Sequence, residues 1–199
     1  MPLTGDYLGI DFSAEMIRAC KALFPNASFR AHDARELPGL GDKQFHFVCF
    51  SFNGIDYVGH QDREKVLAGV YQILRPGGIF LFSSHNYLRR PPAPWSRERW
   101  RQLAGAGFCR ACYYGVKGAA NYLISVGHQQ HYPGSGVLVD AALDYRLLTY
   151  FIEPPTQVRQ LAQHGFHRIE VFDQGGQPVE AGSQALRSSA YVYYLARKQ

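Results

Sequence analysis

Cysteine, long apolar runs and charged residues are all sparse in this chain of 199 residues. The four cysteines, Cys20, Cys49, Cys109 and Cys112, are too few and too scattered for a disulfide framework, which predicts reduced thiols. No apolar run approaches the roughly 20 residues that cross a bilayer, and the N-terminus has no signal-peptide pattern. We therefore expect a cytoplasmic protein without a membrane segment.

The positive charge of the chain is local. The net charge is +5, and Arg89, Arg90, Arg97, Arg99 and Arg101 all lie in one short segment, whereas acidic and basic residues are mixed elsewhere. No RNA-binding motif accompanies the arginines, so we expect a solvated surface and no nucleic-acid partner.

A metal site is not predicted. Cys109 and Cys112 have the spacing of a zinc knuckle, but no second pair of ligands follows at a usable distance. His128 and His131 would point to opposite faces of a strand, which argues against their completing the site.

Two acidic residues close two early strands. Residues 7–11 form an apolar strand that ends in Asp11, and Ser13 then caps a helix predicted to span residues 13–24. A short strand at residues 27–31 leads to Asp33. A carboxylate at a strand end is how α/β nucleotide-binding folds accept the ribose hydroxyls of a cofactor.

Strands and helices continue to alternate up to residue 86. Residues 45–52 are almost continuously apolar, which is typical of a strand buried on both faces. A helix is predicted over residues 62–74, and Arg75-Pro76-Gly77-Gly78 ends it before a strand that starts at residue 79. This order predicts a parallel sheet with right-handed crossovers.

After residue 86 the regular alternation of predicted strands and helices stops. We delimit residues 87–149 as an insertion for substrate recognition within a single domain of residues 1–199, with strand-like segments at 125–132 and 143–152. A helix at 154–165 and strands at 166–172 and 190–196 follow. The irregular link between the last two strands predicts an antiparallel pair at the sheet edge.

Together these motifs resemble the class I S-adenosylmethionine-dependent methyltransferases. The resemblance covers residues 7–86 closely and residues 150–199 more loosely, and it implies an α/β, Rossmann-like sheet with an antiparallel C-terminal strand pair. Only six residues precede the strand that ends in Asp11, so the family's first strand and Gly-rich turn are missing. We therefore expect an N-terminally truncated sheet, with either two exposed central edges or a new strand pairing.

The resemblance also implies a cofactor, S-adenosyl-L-methionine, and roles for eight residues. Asp11 would accept hydrogen bonds from the ribose, with Phe12 and Met16 against the adenine. Asp33 would receive the exocyclic amine of the adenine, beside Ala34. The methionine portion and the methyl-transfer position would be lined by Ser51, Phe52 and Asn53.

Three further residues follow the same strand ends and could orient or deprotonate a methyl acceptor: Tyr57, His85 and Asn86. For each, the alternative is a hydrogen-bonding residue of a surface loop. Methyl transfer from a sulfonium is an in-line displacement that needs position more than a catalytic triad, so no general base is assigned.

The favoured function is methyl transfer from S-adenosylmethionine to a small-molecule acceptor, by a chain that the missing Gly-rich motif could render inactive. The alternative is a non-catalytic, methyltransferase-like partner or scaffold that has lost cofactor binding. A nicotinamide-dependent dehydrogenase would share Asp11 but not Asp33 or the antiparallel closing pair. An RNA methyltransferase would use the arginine segment, but no base-flipping pocket is indicated.

Overall fold

The computed structural model describes residues 6–41 and 45–199, in which helices and strands alternate. The five α-helices are α1 (Ala14–Leu23), α2 (His60–Ile73), α3 (Arg97–Leu103), α4 (Phe108–Ser125) and α5 (Pro154–Gln163). The strands are β1 (Leu8–Asp11), β2 (Ser28–Ala31), β3 (Phe45–Phe50), β4 (Leu74–Asn86), β5 (Gln130–Tyr132), β6 (Ser135–Val139), β7 (Leu148–Ile152), β8 (Phe166–Phe172) and β9 (Tyr191–Lys198). Short 3-10 helices span Ala34–Leu40, Gly54–Tyr57, Ala104–Ala106, Val126–His128, Ala142–Tyr145 and Gln184–Ser188.

Seven strands form one mixed sheet around β4. The order is β5-β6-β7-β4-β9-β8, and β3 also pairs with β4. The β3–β4 and β4–β7 ladders are parallel, whereas β4–β9 and β8–β9 are antiparallel. The α/β fold with an antiparallel C-terminal strand pair, predicted from the sequence, is confirmed.

Strands β1 and β2 form a separate parallel pair. Within the described residues β1 pairs only with β2 and β3 only with β4, so the other edge of β1 and the other edge of β3 have no ladder partner. Of the two arrangements that the sequence left open, the described residues show the exposed edges. The side chains of Leu8 and Ile10 on β1 pack against the buried core.

Local sequence signals explain where two of the helices begin and end. The Ser13 hydroxyl accepts the backbone N–H of Met16 at 3.2 Å, which caps the first turn of α1. Two prolines occupy the first turn of α5, where their missing N–H groups cost nothing. The helix ends before Gly165 (φ +89°), at which a side chain would meet the Tyr71 ring.

The core lies between the sheet and helices α2 and α5 and is rich in aromatic side chains. Phe80 on β4 is fully buried, and its ring lies 4.5 Å from that of Phe82 and 5.7 Å from that of Phe166, centroid to centroid. Phe82 in turn stacks on Tyr194 of β9 at 5.1 Å. These contacts pack β4 against β8 and β9, the two strands of the closing pair.

The insertion contains a helix that the sequence did not predict. The strand-like interpretation of residues 125–132 is wrong for most of that segment, because α4 extends to Ser125 and only Gln130–Tyr132 is extended. Helix α4 has only two charged residues, Arg110 and Lys117, and its Val116 and Ile124 are largely exposed, so few residues mark its polar face in the sequence. Strand β4 also starts earlier than predicted, directly after α2.

No helix in the described parts of the chain is both long enough and apolar enough to cross a membrane.

Removing the Phe80 ring tests this account of the core. We expect Phe80→Ala to lower the free energy of unfolding by about 3–5 kcal/mol, because it leaves a cavity among three aromatic rings. Urea unfolding followed by circular dichroism measures the loss. Phe47→Ala on neighbouring β3 is the control, since that side chain is half exposed and should cost much less. Equal losses would contradict the proposed core.

Candidate functional site

The carboxylate of Asp11 is fixed at the end of β1. One of its oxygens, Oδ1, accepts the backbone N–H of Ser13 at 2.7 Å. Among the described residues, no donor contacts the second oxygen. Phe12 is 83% exposed and Met16 53% exposed, so two large apolar side chains lie open to solvent beside this carboxylate.

Asp33 at the end of β2 is held by an arginine. Its carboxylate accepts the backbone N–H of Arg35 at 2.8 Å, and both of its oxygens also contact the guanidinium. These hydrogen bonds hold the pKa of Asp33 at about 2. Arg35 also reaches Asp62 at 3.2 Å, which joins the end of β2 to the first turn of α2. Ala34 is half-buried beside this pair.

The chain leaves β3 through a strained turn. Phe52 (φ +51°) and Asn53 (φ +55°) both have left-handed backbone conformations, although neither is glycine. The backbone N–H of Asn53 donates to the Ser83 hydroxyl of β4 at 3.1 Å, which holds the turn in place. Ser51 is exposed, and the Phe52 side chain is 92% exposed.

A buried ion pair lies directly behind this turn. Asp56 and Arg63 have side chains with no exposure to solvent, and their charged atoms are 2.7 Å apart. Arg63 also donates to the backbone carbonyl of Ile55 (3.1 Å), the Ser84 hydroxyl (3.1 Å) and the Gln157 side chain (2.6 Å). The guanidinium therefore donates hydrogen bonds to groups from three other segments of the chain: the 3-10 helix after β3, strand β4 and helix α5.

The other oxygen of Asp56 orients His85 at the end of β4. Oδ2 accepts the backbone N–H of His85 at 2.6 Å and lies 2.8 Å from its Nδ1. Because a carboxylate oxygen only accepts, Nδ1 carries a proton, and in the neutral ring Nε2 carries the lone pair. The imidazole also packs on the Phe151 ring, with 5.0 Å between centroids.

Two polar side chains lie near the free nitrogen of His85. The Asn53 amide nitrogen lies 3.4 Å from Nε2, and Oδ2 of Asp140, just after β6, lies 3.8 Å from it. Tyr57 is close enough to Asp140 and Asp56 that their negative charges add to the effect of burial in raising the pKa of its phenol. A carboxylate that fixes an imidazole, whose second nitrogen faces polar groups, is an arrangement that can take a proton.

The comparisons with known proteins bear on this arrangement. A family model described as a methyltransferase domain matches residues 2–78. Solved S-adenosylmethionine-dependent methyltransferases share the fold. One from Clostridium acetobutylicum has a TM-score of 0.56 and 13% identity, with 97% of this chain and 75% of that chain covered. One from Methanosarcina mazei has a TM-score of 0.54 and 15% identity, with 96% and 81% covered.

A third, from Thermotoga maritima, is described as a possible histamine N-methyltransferase; it has a TM-score of 0.55 and 16% identity, with 96% of this chain and 72% of that chain covered. No curated protein matches the chain significantly. The chain has the class I methyltransferase fold. The resemblance predicted from the sequence is thereby confirmed.

In this methyltransferase fold, some of the residues predicted for the acceptor side come together and one does not. Tyr57 and His85 lie in a cluster with Asp140, and Asn53, which was predicted for the methyl-transfer position, contacts His85 in the same cluster. Asn86 does not join them, because its amide nitrogen donates to the carbonyls of Leu186 (2.7 Å) and Ser189 (3.0 Å) inside the protein. Its side chain therefore ties β4 to the segment before β9.

Sequence reasoning missed three residues of this cluster. Asp56 lies in the predicted exit loop of β3. An acidic residue there, together with a histidine at the end of the next strand, was the sequence signal that could have identified it. Arg63 was hidden in a helix whose polar residues are usually solvated. Asp140 lies in the insertion, where no motif marked it.

A separate cavity of about 310 Å³ lies on the other side of Tyr150. His60 stacks on Tyr132 there, with 4.0 Å between ring centroids, and its Nδ1 lies 3.0 Å from the Tyr150 hydroxyl. The Tyr150 ring covers the Arg63 guanidinium at 4.7 Å. The buried ion pair therefore separates this cavity from His85. We place the candidate functional site at the strand ends and not in the cavity, because His85 is oriented there. In residues 6–41 and 45–199, no three His, Cys, Asp or Glu side chains are grouped as metal ligands.

Breaking the buried ion pair should be costly. We expect Arg63→Met to lower the free energy of unfolding by about 3–5 kcal/mol, because it leaves the Asp56 charge buried without a partner. The double variant Asp56→Leu/Arg63→Met should regain part of that loss, since no charge then remains buried. Urea unfolding measures both, with Arg18→Met in an exposed ion pair as the control that changes little. A double variant less stable than Arg63→Met would contradict this explanation.

The low pKa of Asp33 predicts a pH dependence. The folded-state value of about 2 lies below the ordinary 3.8, so the pair stabilises the fold above about pH 4 and stops doing so as the pH falls towards 2. Arg35→Gln should return the pKa of Asp33 towards its ordinary value, as measured by carboxyl ¹³C NMR. Arg18→Gln is the matched control and should leave it unchanged. A pKa that stays near 2 without Arg35 would refute the assigned cause.

Proposed function

We propose that this protein transfers a methyl group from S-adenosylmethionine to a small-molecule acceptor. The observation that carries the proposal is the Asp11 carboxylate, which Ser13 holds at the end of β1 with one oxygen free of contacts from the described residues. Ligands of open α/β sheets bind beyond the carboxyl ends of the strands, which is where this carboxylate lies. The family match over residues 2–78 supports the same proposal.

The residues at these strand ends fit the cofactor. Asp11 can accept hydrogen bonds from two neighbouring hydroxyls, and the exposed Phe12 and Met16 offer apolar surface to a heterocycle. Three N–H groups of Arg35 donate to the Asp33 carboxylate, which has about four acceptor positions, so one position is left for an amine. Ala34 would lie against the same ring.

The strained turn after β3 would face the reacting end of the cofactor. We assign Ser51, Phe52 and Asn53 to the methionine portion and to the position of methyl transfer. The bound cofactor supplies an electrophilic methyl group on a positively charged sulfur. The protein's own contribution is position: Asn53, Tyr57 and His85 would orient the acceptor.

The proposal also includes the location of the protein and the kind of acceptor. Free cysteines support a cytoplasmic location. The arginine segment is partly engaged within the protein, since Arg99 reaches Asp144 at 3.6 Å and Arg89 reaches Glu98 at 3.4 Å. We therefore propose a small-molecule acceptor in preference to a nucleic acid.

Binding of S-adenosylhomocysteine tests the proposed function. Isothermal titration into this chain should show one site, and Asp11→Asn should weaken it about ten- to hundredfold, because hydrogen bonds to a charged acceptor are lost. Glu36→Gln makes the same chemical change at an exposed position and should leave the affinity unchanged. If the folded chain binds no S-adenosylhomocysteine, the proposal fails and the scaffold alternative takes its place.

A further inference from the structure

We propose that the methyl acceptor is a protonated amine, and that His85 Nε2 is the base that takes its proton. The inference rests on the proposed function and names the substrate class of that site. It follows from the convergence of hydrogen-bond acceptors and negative charge around Nε2.

The hydrogen bonds of His85 leave Nε2 as the ring nitrogen that can accept a proton. Both its backbone N–H and its Nδ1 are bonded to the same oxygen of Asp56, which prevents the ring from turning. Arg63 compensates the charge of Asp56 at 2.7 Å. The pair orients the imidazole without giving the site a net charge of its own.

Asn53 supplies an acceptor with no partner. Its amide nitrogen lies beside His85 Nε2, an arrangement consistent with a neutral ring whose lone pair faces Asn53. The carbonyl oxygen of the same amide is buried, and no donor among the described residues reaches it. Buried acceptors are nearly always satisfied, so this oxygen calls for a donor from a ligand.

Asp140 supplies a charge with no permanent counter-ion. Its side chain is only 13% exposed, and it accepts the backbone N–H of Ala142 at 3.1 Å and the Thr149 hydroxyl at 3.4 Å. In the part of the chain that the structure describes, no lysine or arginine forms an ion pair with it. Asp144, four residues later, instead has Lys117 at 2.9 Å.

A protonated amine meets all of these requirements together. It carries a positive charge for Asp140 and has several N–H donors, enough for the Asn53 carbonyl and for His85 Nε2. A carboxylate or thiolate would be repelled by Asp140, and an alcohol has one proton for three acceptors. Burial and the nearby charge of Asp140 raise the pKa of the Tyr57 phenol, and the same charge would attract a cation.

The proton balance explains why a base is needed. A protonated amine has no lone pair, so one N–H proton first passes to His85 Nε2. The freed nitrogen lone pair then forms the new N–C bond, while the methyl C–S bond breaks and its electron pair stays on sulfur. The products are the methylated amine and S-adenosylhomocysteine, and the imidazolium later returns its proton to water.

The test compares amines with analogues of the same shape. Benzylamine, 2-phenylethylamine and 4-phenylbutylamine are titrated into the chain by calorimetry, each beside its alcohol and its carboxylate, with and without saturating S-adenosylhomocysteine. We expect at least one amine to bind about tenfold or more tightly than its alcohol. Asp140→Asn should abolish that preference, and Glu98→Gln, an exposed change of the same charge, should preserve it.

A second variant separates binding from proton transfer. His85→Gln should retain amine binding and lower turnover about a hundredfold or more. Equal or tighter binding of the alcohol or carboxylate, or binding of S-adenosylhomocysteine but of no amine, would overturn the inference and leave the proposed function in place. Failure to bind S-adenosylhomocysteine would instead refute the proposed function, whatever the amines do.

Discussion

The buried ion pair between Asp56 and Arg63 is the interaction on which the rest of the site depends. Removing two charges from water is expensive, and the expense is offset here because every lone pair and most N–H groups of the pair have partners. Those partners belong to α2, β4, α5 and the 3-10 helix after β3. One oxygen of the Asp56 carboxylate therefore binds Arg63 in the core, and the other orients His85.

Because Asp56 contacts both Arg63 and His85, the stability of the core and the orientation of the imidazole are linked. A change that weakens the core near Arg63 also loosens the imidazole, because Asp56 is common to both. The Tyr150 ring over Arg63 extends the link to the cavity lined by His60. Each polar group that loses its partner in such a buried network costs free energy, which leaves few acceptable substitutions at any of its positions.

The sequence predicted those parts of the fold that local signals control. The cap at Ser13, the acids Asp11 and Asp33 after their strands, and the alternation of strands and helices are all readable over a few residues. The grouping around His85 is not, since Asp56 and Asp140 lie 29 and 55 residues away from it along the chain. Only the fold brings them together. Helix α4 was missed for another reason, because its small and aromatic residues give no clear apolar face.

Strand β4 changes partners near its end. The insertion therefore affects the position of residues at the end of β4, although it follows them in the sequence. Over residues 79–82 the strand pairs with β3, whereas at His85 and Asn86 it pairs with β7, onto which the β5–β6 hairpin of the insertion is built. The segment that carries Asp140 thus also holds the backbone of His85. A chimera that took residues 87–149 from a relative would exchange Asp140 and the β5–β6 hairpin, but it would keep Phe151 and Ile152, whose backbone pairs with His85 and Asn86.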